Sequence, residues 1–341
     1  MDNSVRNEIL LRNPGINPDI VTGVGLGPST LFYDYTFRQK RKKGKYKEIA
    51  APDLPFGPIA DTHAHLDCIT SAPLSLARCA VYKVGFICTI TDVTENPEKT
   101  FETIDVWLDE AKSILKDWGL EHLVGSIPTV RISIGCHPHN ARLFDEQKKE
   151  LMKNYLQGER VCAVGEVGLD YFYNKSSHEQ QRKAFAYQIN LAKEMNLPLI
   201  LHMRDAHEEG FQILKEEGFP EAGVLLHCFN LDKEVLKPWV NEGCYIAYGG
   251  PLTFKNCDYV RESAKEVPLS RLLTETDSPF MTPEPLRGIE CGPEHVIFTL
   301  DGMLNLFPEK SFEKKKELVS TLYSNAVRLL DRKREIVSLG K

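Results

Sequence analysis

His63 and His65 flank a single alanine at the end of one apolar run, and Glu166, His202, His227 and Asp277 each close a later one. Nitrogen and carboxylate donors arriving from separate strands are how a barrel enzyme assembles a two-metal site, and the chemistry such a site serves is hydrolysis. Residues i and i+2 of a strand point to the same face, so His63 and His65 can share one metal. Glu166 lies in the apolar stretch AVGEVG. A carboxylate there is costly to bury unless paired or metal-bound, and its two oxygens can bridge two cations. A salt bridge at a strand end is the plain alternative. His202 follows Leu199-Ile200-Leu201 and His227 follows Val224-Leu225-Leu226, each offering a neutral imidazole. Asp277 ends the run from Leu272 and could bind a metal and accept a proton from its water. Any one of these residues has an ordinary explanation. Five strands offering ligands at the same end are harder to assign to chance.

The elements that must position them show a strand-then-helix rhythm from Ile59 onward. Expected strands are Ile59–His65, Val84–Ile90, Val130–His137, Val161–Val167, Pro198–His202, Val224–Cys228, Tyr245–Tyr248 and Leu272–Asp277. They are short and mostly apolar on both faces, as in a buried parallel sheet. Amphipathic stretches separate or follow them: Thr100–Lys116, Asp145–Asn154, His178–Glu194, Ala206–Glu217, Lys233–Asn241, Asn256–Lys265, Glu294–Phe307 and Ser311–Leu330. Eight strands with such helices predict an α/β fold, a TIM-type (β/α)8 barrel over residues 59–332 with its activity at the C-terminal ends of the strands. Residues 1–58 are expected to be an N-terminal extension and linker, and 333–341 a tail. In the extension, Gly23, Gly25 and Gly27 lack the G-K-[ST] of a phosphate loop and read as a turn. Arg38–Lys47 (RQKRKKGKYK) carries seven basic residues and reads as a solvated arm, with polyanion binding as its functional alternative.

The 341 residues are 42% hydrophobic and 26% charged, enough to bury a sizeable core. A net charge of −6 gives no global attraction to nucleic acid, so such a substrate would be held by local basic groups and by metals. Nine cysteines without a C-x-x-C pair, and no apparent signal peptide or membrane span, point to the cytoplasm.

DTHAHLD, GCHPHNA, AVGEVGLDY, LPLILHMRDA, LLHCFN and LLTETDSPFMTP occur in order, and together they resemble the TatD family of metal-dependent hydrolases over about Ile59 to Arg332. The resemblance implies two divalent ions (zinc, manganese, nickel or magnesium) and phosphodiester hydrolysis, usually as a deoxyribonuclease of 3′-to-5′ exonuclease type. It implies His63, His65 and Asp277 on one metal, His202 and His227 on the other, and Glu166 bridging. Asp277 would take the proton of the attacking water. His137 would lie beside substrate. Arg204 could pair with a phosphate or make a structural ion pair, and Arg287 could touch phosphate from the loop after the last strand. Glu275 could orient a ligand histidine or simply make a salt bridge near the barrel. Cys228 is expected to point away from the site by strand alternation. The expected partner is nucleic acid, single-stranded DNA foremost, for a monomer with no protein or membrane partner. The alternatives are an amidohydrolase-type enzyme acting on a small ester, amide or lactone, a D-aminoacyl-tRNA deacylase, and a barrel that binds metal without turnover. Residues 1–50 and the long segment 67–135 depart from the family's usual pattern.

Overall fold

The structure, a computed structural model, describes residues 33–54, 57–307 and 311–331. The glycine cluster at 23–27, the tail from 333 and parts of the extension and linker lie outside them.

A hairpin opens the described chain, with β1 (Phe37–Lys40) antiparallel to β2 (Tyr46–Ile49). Eight parallel strands then pair in chain order: β3 (Ile59–Ala64), β4 (Val84–Asp92), β5 (Thr129–Gly135), β6 (Val161–Asp170), β7 (Leu199–Arg204), β8 (Val224–Leu226), β9 (Tyr245–Tyr248) and β10 (Leu272–Thr274). β6 is buried at all ten positions, as expected of a strand covered on both faces. The helices are α1 (Ala72–Val81), α2 (Pro97–Asp117), α3 (Glu146–Tyr155), α4 (His178–Glu194), α5 (His207–Glu217), α6 (Lys233–Asn241), α7 (Asp258–Glu266), α8 (Val296–Leu304) and α9 (Phe312–Leu330). Side-chain caps start several of them. Asn96 caps α2 with Pro97 at its first turn, and Ser177 forms a reciprocal capping box with Gln180 at α4.

The sheet closes into a barrel at the seam between β10 and β3. Thr62 Oγ1 donates to the Thr274 carbonyl at 3.1 Å and Thr274 Oγ1 to the Ala60 carbonyl at 3.0 Å. Past the strand ends, Asp277 N donates to the His63 carbonyl at 2.9 Å and His65 N to the Ser278 carbonyl at 2.8 Å. Buried Asp61 locks the same seam, accepting from Thr276 N at 2.9 Å and His63 N at 3.2 Å. The seam therefore sets the His63–Ala64–His65 segment beside Asp277, although the two are more than 200 residues apart in the chain.

Inside the barrel, Phe86, Ile90, Ile200, Leu225, Ala247 and Leu273 form a core that Ala326, Leu329 and Leu330 of α9 complete. Asn325 of α9 donates to the Leu272 carbonyl at 3.0 Å, at the start of β10, so α9 covers the N-terminal mouth. Each fully buried large side chain of this plug contributes about 1.5–3 kcal/mol relative to exposure. The C-terminal mouth is left for the site.

Two features differ from the sequence expectation. α1 was not anticipated, because Ala72–Ala80 is buried throughout and shows no polar stripe. The extension packs against its C-terminal end: Phe37, 4% exposed, sets its ring 4.5 Å from that of Tyr82, and Arg78 Nε donates to the Asp34 carbonyl at 2.7 Å. The basic run, expected as a solvated arm, does expose its cations, but on an ordered hairpin, β1–β2, docked through Phe37 onto Tyr82, His295 and Phe298. The length of segment 67–135 is taken up by α1, the 21-residue α2 and a short 3-10 turn, Glu121–Ser126.

Candidate metal centre

Glu166 sits at the middle of the C-terminal mouth, 5% exposed, with imidazoles on several sides. Its Oε1 lies 2.6 Å from His202 Nδ1, 2.8 Å from His227 Nε2 and 3.7 Å from His137 Nε2. Its Oε2 lies 3.4 Å from His63 Nε2 and 3.9 Å from His65 Nε2. Asp277 Oδ1 completes that side, 3.5 Å from His65 Nε2 and 3.9 Å from His63 Nε2. All six side chains read from the sequence as metal donors thus converge, and the two oxygens of Glu166 face two different groups of nitrogens.

The strands explain how. β3 ends at Ala64, β8 at Leu226 and β10 at Thr274, so His65, His227 and Asp277 stand on the first turns beyond the sheet. Asp277 takes a left-handed backbone with φ of 54°, a conformation that non-glycine residues adopt at some cost and that recurs at functional sites. Cys228 has φ of 45° and also lies past its strand, so face alternation does not govern its thiol. It does not line the cavity. Its backbone N–H donates to Glu275 Oε1 at 2.6 Å, and that oxygen is 3.4 Å from His227 Nδ1. Glu275 accordingly stands behind His227, where it was expected to orient a ligand.

The donor set fits divalent cations. Among the described residues, both ring nitrogens of His63 are buried without a hydrogen-bond partner, and three groups of donors have their ligand atoms within 4.8 Å of one another: His63, His65 and Glu166; His137, Glu166 and His202; and His63, His227 and Glu275. Burial would raise the Glu166 carboxyl, but His227, His63 and His137 outweigh it and hold it well below the usual carboxylate range. Burial likewise opposes charge on His227 and His202. For His227, Glu166 and Glu275 prevail and push the imidazole well above its ordinary value. For His202, Asp170 and Glu166 raise it. His65 is raised by Asp277 against its burial, whereas burial lowers His63 and His137.

A metal takes the neutral imidazole, so protons compete with it at the raised histidines. Because their pKa values stand above the ordinary value of about 6.5, metal affinity is expected to keep rising with pH through neutrality, between about pH 6 and 8. Calorimetric titration of zinc or manganese in buffers of differing ionisation enthalpy measures the protons released. An affinity independent of pH over that range, with no proton release, would contradict this electrostatic picture.

Four participants escaped the sequence reading: Asp170, His139, Asp92 and Asn140. Asp170, wholly buried, places Oδ2 2.8 Å from His139 Nε2 and 3.2 Å from His202 Nε2, and accepts the backbone N–H groups of Phe172 and Tyr173 through Oδ1. Burial raises its carboxyl, but hydrogen bonds from His139 and His202 carry it far below the usual range. Asp170 lies four residues after Glu166 on an apolar strand, hence on the same face, and that parity was the available signal. His139 repeats the H-x-H spacing with His137. Asp92 accepts from His137 N at 2.9 Å and Asn140 Nδ2 at 3.1 Å, holding that turn at the rim. An Asp170→Asn chain is expected to bind metal about 10–100-fold more weakly, as losing the carboxylate behind a ligand histidine does elsewhere. Elemental analysis after dialysis against graded chelator checks it, and unchanged retention would sink the role.

The cavity over these donors measures about 550 Å³ and is lined by His65, His137, His139, Glu166, Asp170, His202, Arg204, His227 and Asp277, with Tyr173, Lys175, Phe280 and Met281 toward the outside. Arg204 makes no ion pair among the described residues. Its guanidinium lies 4.2 Å from the ring centre of Phe172 and 4.6 Å from that of Tyr173. Arg287 is not in the lining, and it stacks 3.8 Å over Phe254 instead.

A barrel with imidazoles and carboxylates gathered at its C-terminal mouth defines the class, a metal-dependent hydrolase. The family described as "TatD related DNase" matches residues 60–331, and the chain belongs to it. Among its relatives is the "Uncharacterized metal-dependent hydrolase YabD" of Bacillus subtilis, 43% identical over 197 residues that span 58% of this chain and 76% of that protein. A second, YcfH of Escherichia coli, with the same description, is 40% identical over 52% of this chain and 66% of its own length. The crystal structure of YjjV, a TatD homologue from Escherichia coli, superposes with a TM-score of 0.67 at 26% identity, covering 81% of this chain and 98% of that one. A TatD family hydrolase from Entamoeba histolytica, at 20% identity and a TM-score of 0.65 over 81% of this chain and 98% of that one, shares the fold. No helix among the described residues is long and apolar enough to cross a membrane.

Proposed function

We propose that the chain is a phosphodiesterase that trims single-stranded nucleic acid, DNA foremost, from its 3′ end with two divalent cations. The observation that carries this reading is the rim. Phe172 and Tyr173 are 57% and 53% exposed with Arg204 against both rings, Lys175 adjoins Tyr173, and Phe280, 63% exposed, stands near His65. Exposed aromatic faces interleaved with cations suit unstacked bases and phosphates, each stacked base contributing about 1–3 kcal/mol. A pocket selecting a small neutral ester has less use for them.

His63, His65, Asp277 and Glu166 would hold one cation, and Glu166, His202 and His227 the other. Bound there, the pair would polarise the phosphoryl group and acidify water. The chain's own residues do the rest. Asp277 accepts the proton of the attacking water. Arg204 presents a planar fork to a phosphate oxygen. His137, beside Glu166 at the cavity wall, faces the substrate. Asp170 and Glu275 fix the rings of His202 and His227.

The test is hydrolysis by protein reconstituted with zinc, manganese, nickel or magnesium. Substrates are 3′- and 5′-labelled single strands, duplexes, generic esters and D-aminoacyl-tRNA. Shortening from the 3′ end of single strands is expected. Ester or deacylase activity without phosphodiester cleavage, at full metal occupancy, would reassign the substrate.

A further inference from the structure

The hairpin β1–β2 carries six exposed cations, Lys40, Arg41, Lys42, Lys43, Lys45 and Lys47, in eight consecutive residues. None of them forms an ion pair with a described residue, whereas Arg38 at the base of the hairpin is paired with Asp34. On a chain of net charge −6, this is a sharp local excess of positive charge. The hairpin is also held in place. Phe37 is buried against Tyr82, His295 and Phe298, and Arg41 N donates to the Lys45 carbonyl at 2.7 Å across the turn. Mutually repelling charges are thus fixed on an ordered element, where they lose little further freedom on binding a polyanion.

Its position ties it to the mouth. Gln39 Nε2 donates to the Pro285 carbonyl. Pro285 belongs to the loop that leaves the cavity at Phe280 and Met281, closes on itself through Thr282 Oγ1 to the Ile289 carbonyl at 2.7 Å, and carries exposed Arg287. This loop follows the last barrel strand, next to the first. Arg204 ends the fifth and Tyr173 follows the fourth, across the barrel from it. One strand lying over the donors would leave the Arg204 side, pass Phe280 and reach the hairpin.

We propose that the β1–β2 hairpin, with Arg287, is a second phosphate-binding surface that grips the single-stranded nucleic acid beyond the nucleotides seated in the cavity. This rests on the nucleic-acid reading above, and it adds the footprint. Arg287, outside the cavity, thereby meets phosphate at a different place from the one the sequence suggested.

The test uses the full metal-loaded chain and a variant with the six hairpin cations changed to Gln. Fluorescence anisotropy follows labelled phosphorothioate single strands, which resist cleavage, at several salt concentrations. Strands of about 20 nucleotides are expected to bind the variant about tenfold or more weakly, with a log–log salt slope shallower by about two, since every phosphate neutralised by the hairpin adds about 0.7 to the slope. Binding of a dinucleotide, which offers a single bridging phosphate to the donors, is expected to be unchanged. Circular dichroism and Tm confirm folding, and a milder variant, Lys42→Gln with Lys43→Gln at the tip, should show a proportionate part of the effect. An unchanged slope, equal losses for short and long strands, or binding to phosphatidylserine vesicles in place of oligonucleotides overturns the proposal. The two readings fail separately. Intact length-dependent binding without cleavage removes the nuclease assignment and leaves the surface. Cleavage with binding indifferent to the six substitutions does the reverse.

Discussion

Asp277→Asn is expected to reduce turnover about a thousandfold or more, within the roughly 10²–10⁴ range for a positioned proton acceptor, while the Kd for a single strand changes little. The side chain is 15% exposed, and its Oδ1 lies near both His63 and His65. Burial opposes its charge, yet His65, His227 and His63 hold the carboxyl below its ordinary value, so it is ionised and able to receive a proton at neutral pH. Asparagine keeps an oxygen that can coordinate but cannot take the proton. Single-turnover cleavage and anisotropy on the same metal-loaded preparation separate the two functions. An active Asp277→Asn chain at full occupancy would remove Asp277 from proton transfer, and a matched loss of binding would make it a structural ligand instead.

Glu166→Gln should be at least as severe, about a thousandfold in turnover or more, because the charge it supplies is the one shared by both groups of nitrogens. At least one of the two proposed cations should be lost on dialysis, read by elemental analysis. The metal-free protein offers a second readout. Glu166 and His227 attract each other only while the imidazole is protonated. The folded pKa of His227 is raised, so this stabilisation is complete below about pH 6.5 and disappears as pH climbs through the raised value. The substitution should therefore lower Tm more at about pH 6 than at about pH 9. The cost stays under the roughly 3–5 kcal/mol of a broken permanent ion pair, because the histidine can release its proton. Equal Tm losses at both pH values would mean that the pair contributes by packing alone.

Much of the centre was legible in the sequence because barrel chemistry is written at strand ends. An apolar run closing on histidine or a carboxylate reads as a ligand whether or not its partners are known, and β8 ending at Leu226 just before His227 is such a case. The helices with one polar face were legible for a similar reason, as with Lys233–Asn241, which forms α6 over the same span. α1 was not, because packing against α2 and its other neighbours buries Ala72–Ala80 throughout and leaves no polar face.

The sequence by itself determined the barrel, the six side chains that converge at its mouth and the family, because strand periodicity and the chemistry of residues at strand ends are local properties. Only the tertiary structure decided that Asp170 joins His139 to His202, that Arg204 rests on aromatic rings in place of a salt bridge, and that the basic run is a hairpin tied to the rim loop. These depend on which distant segments the closed barrel brings together, and hydrogen bonds, burial and charge act across that space without regard to separation along the chain.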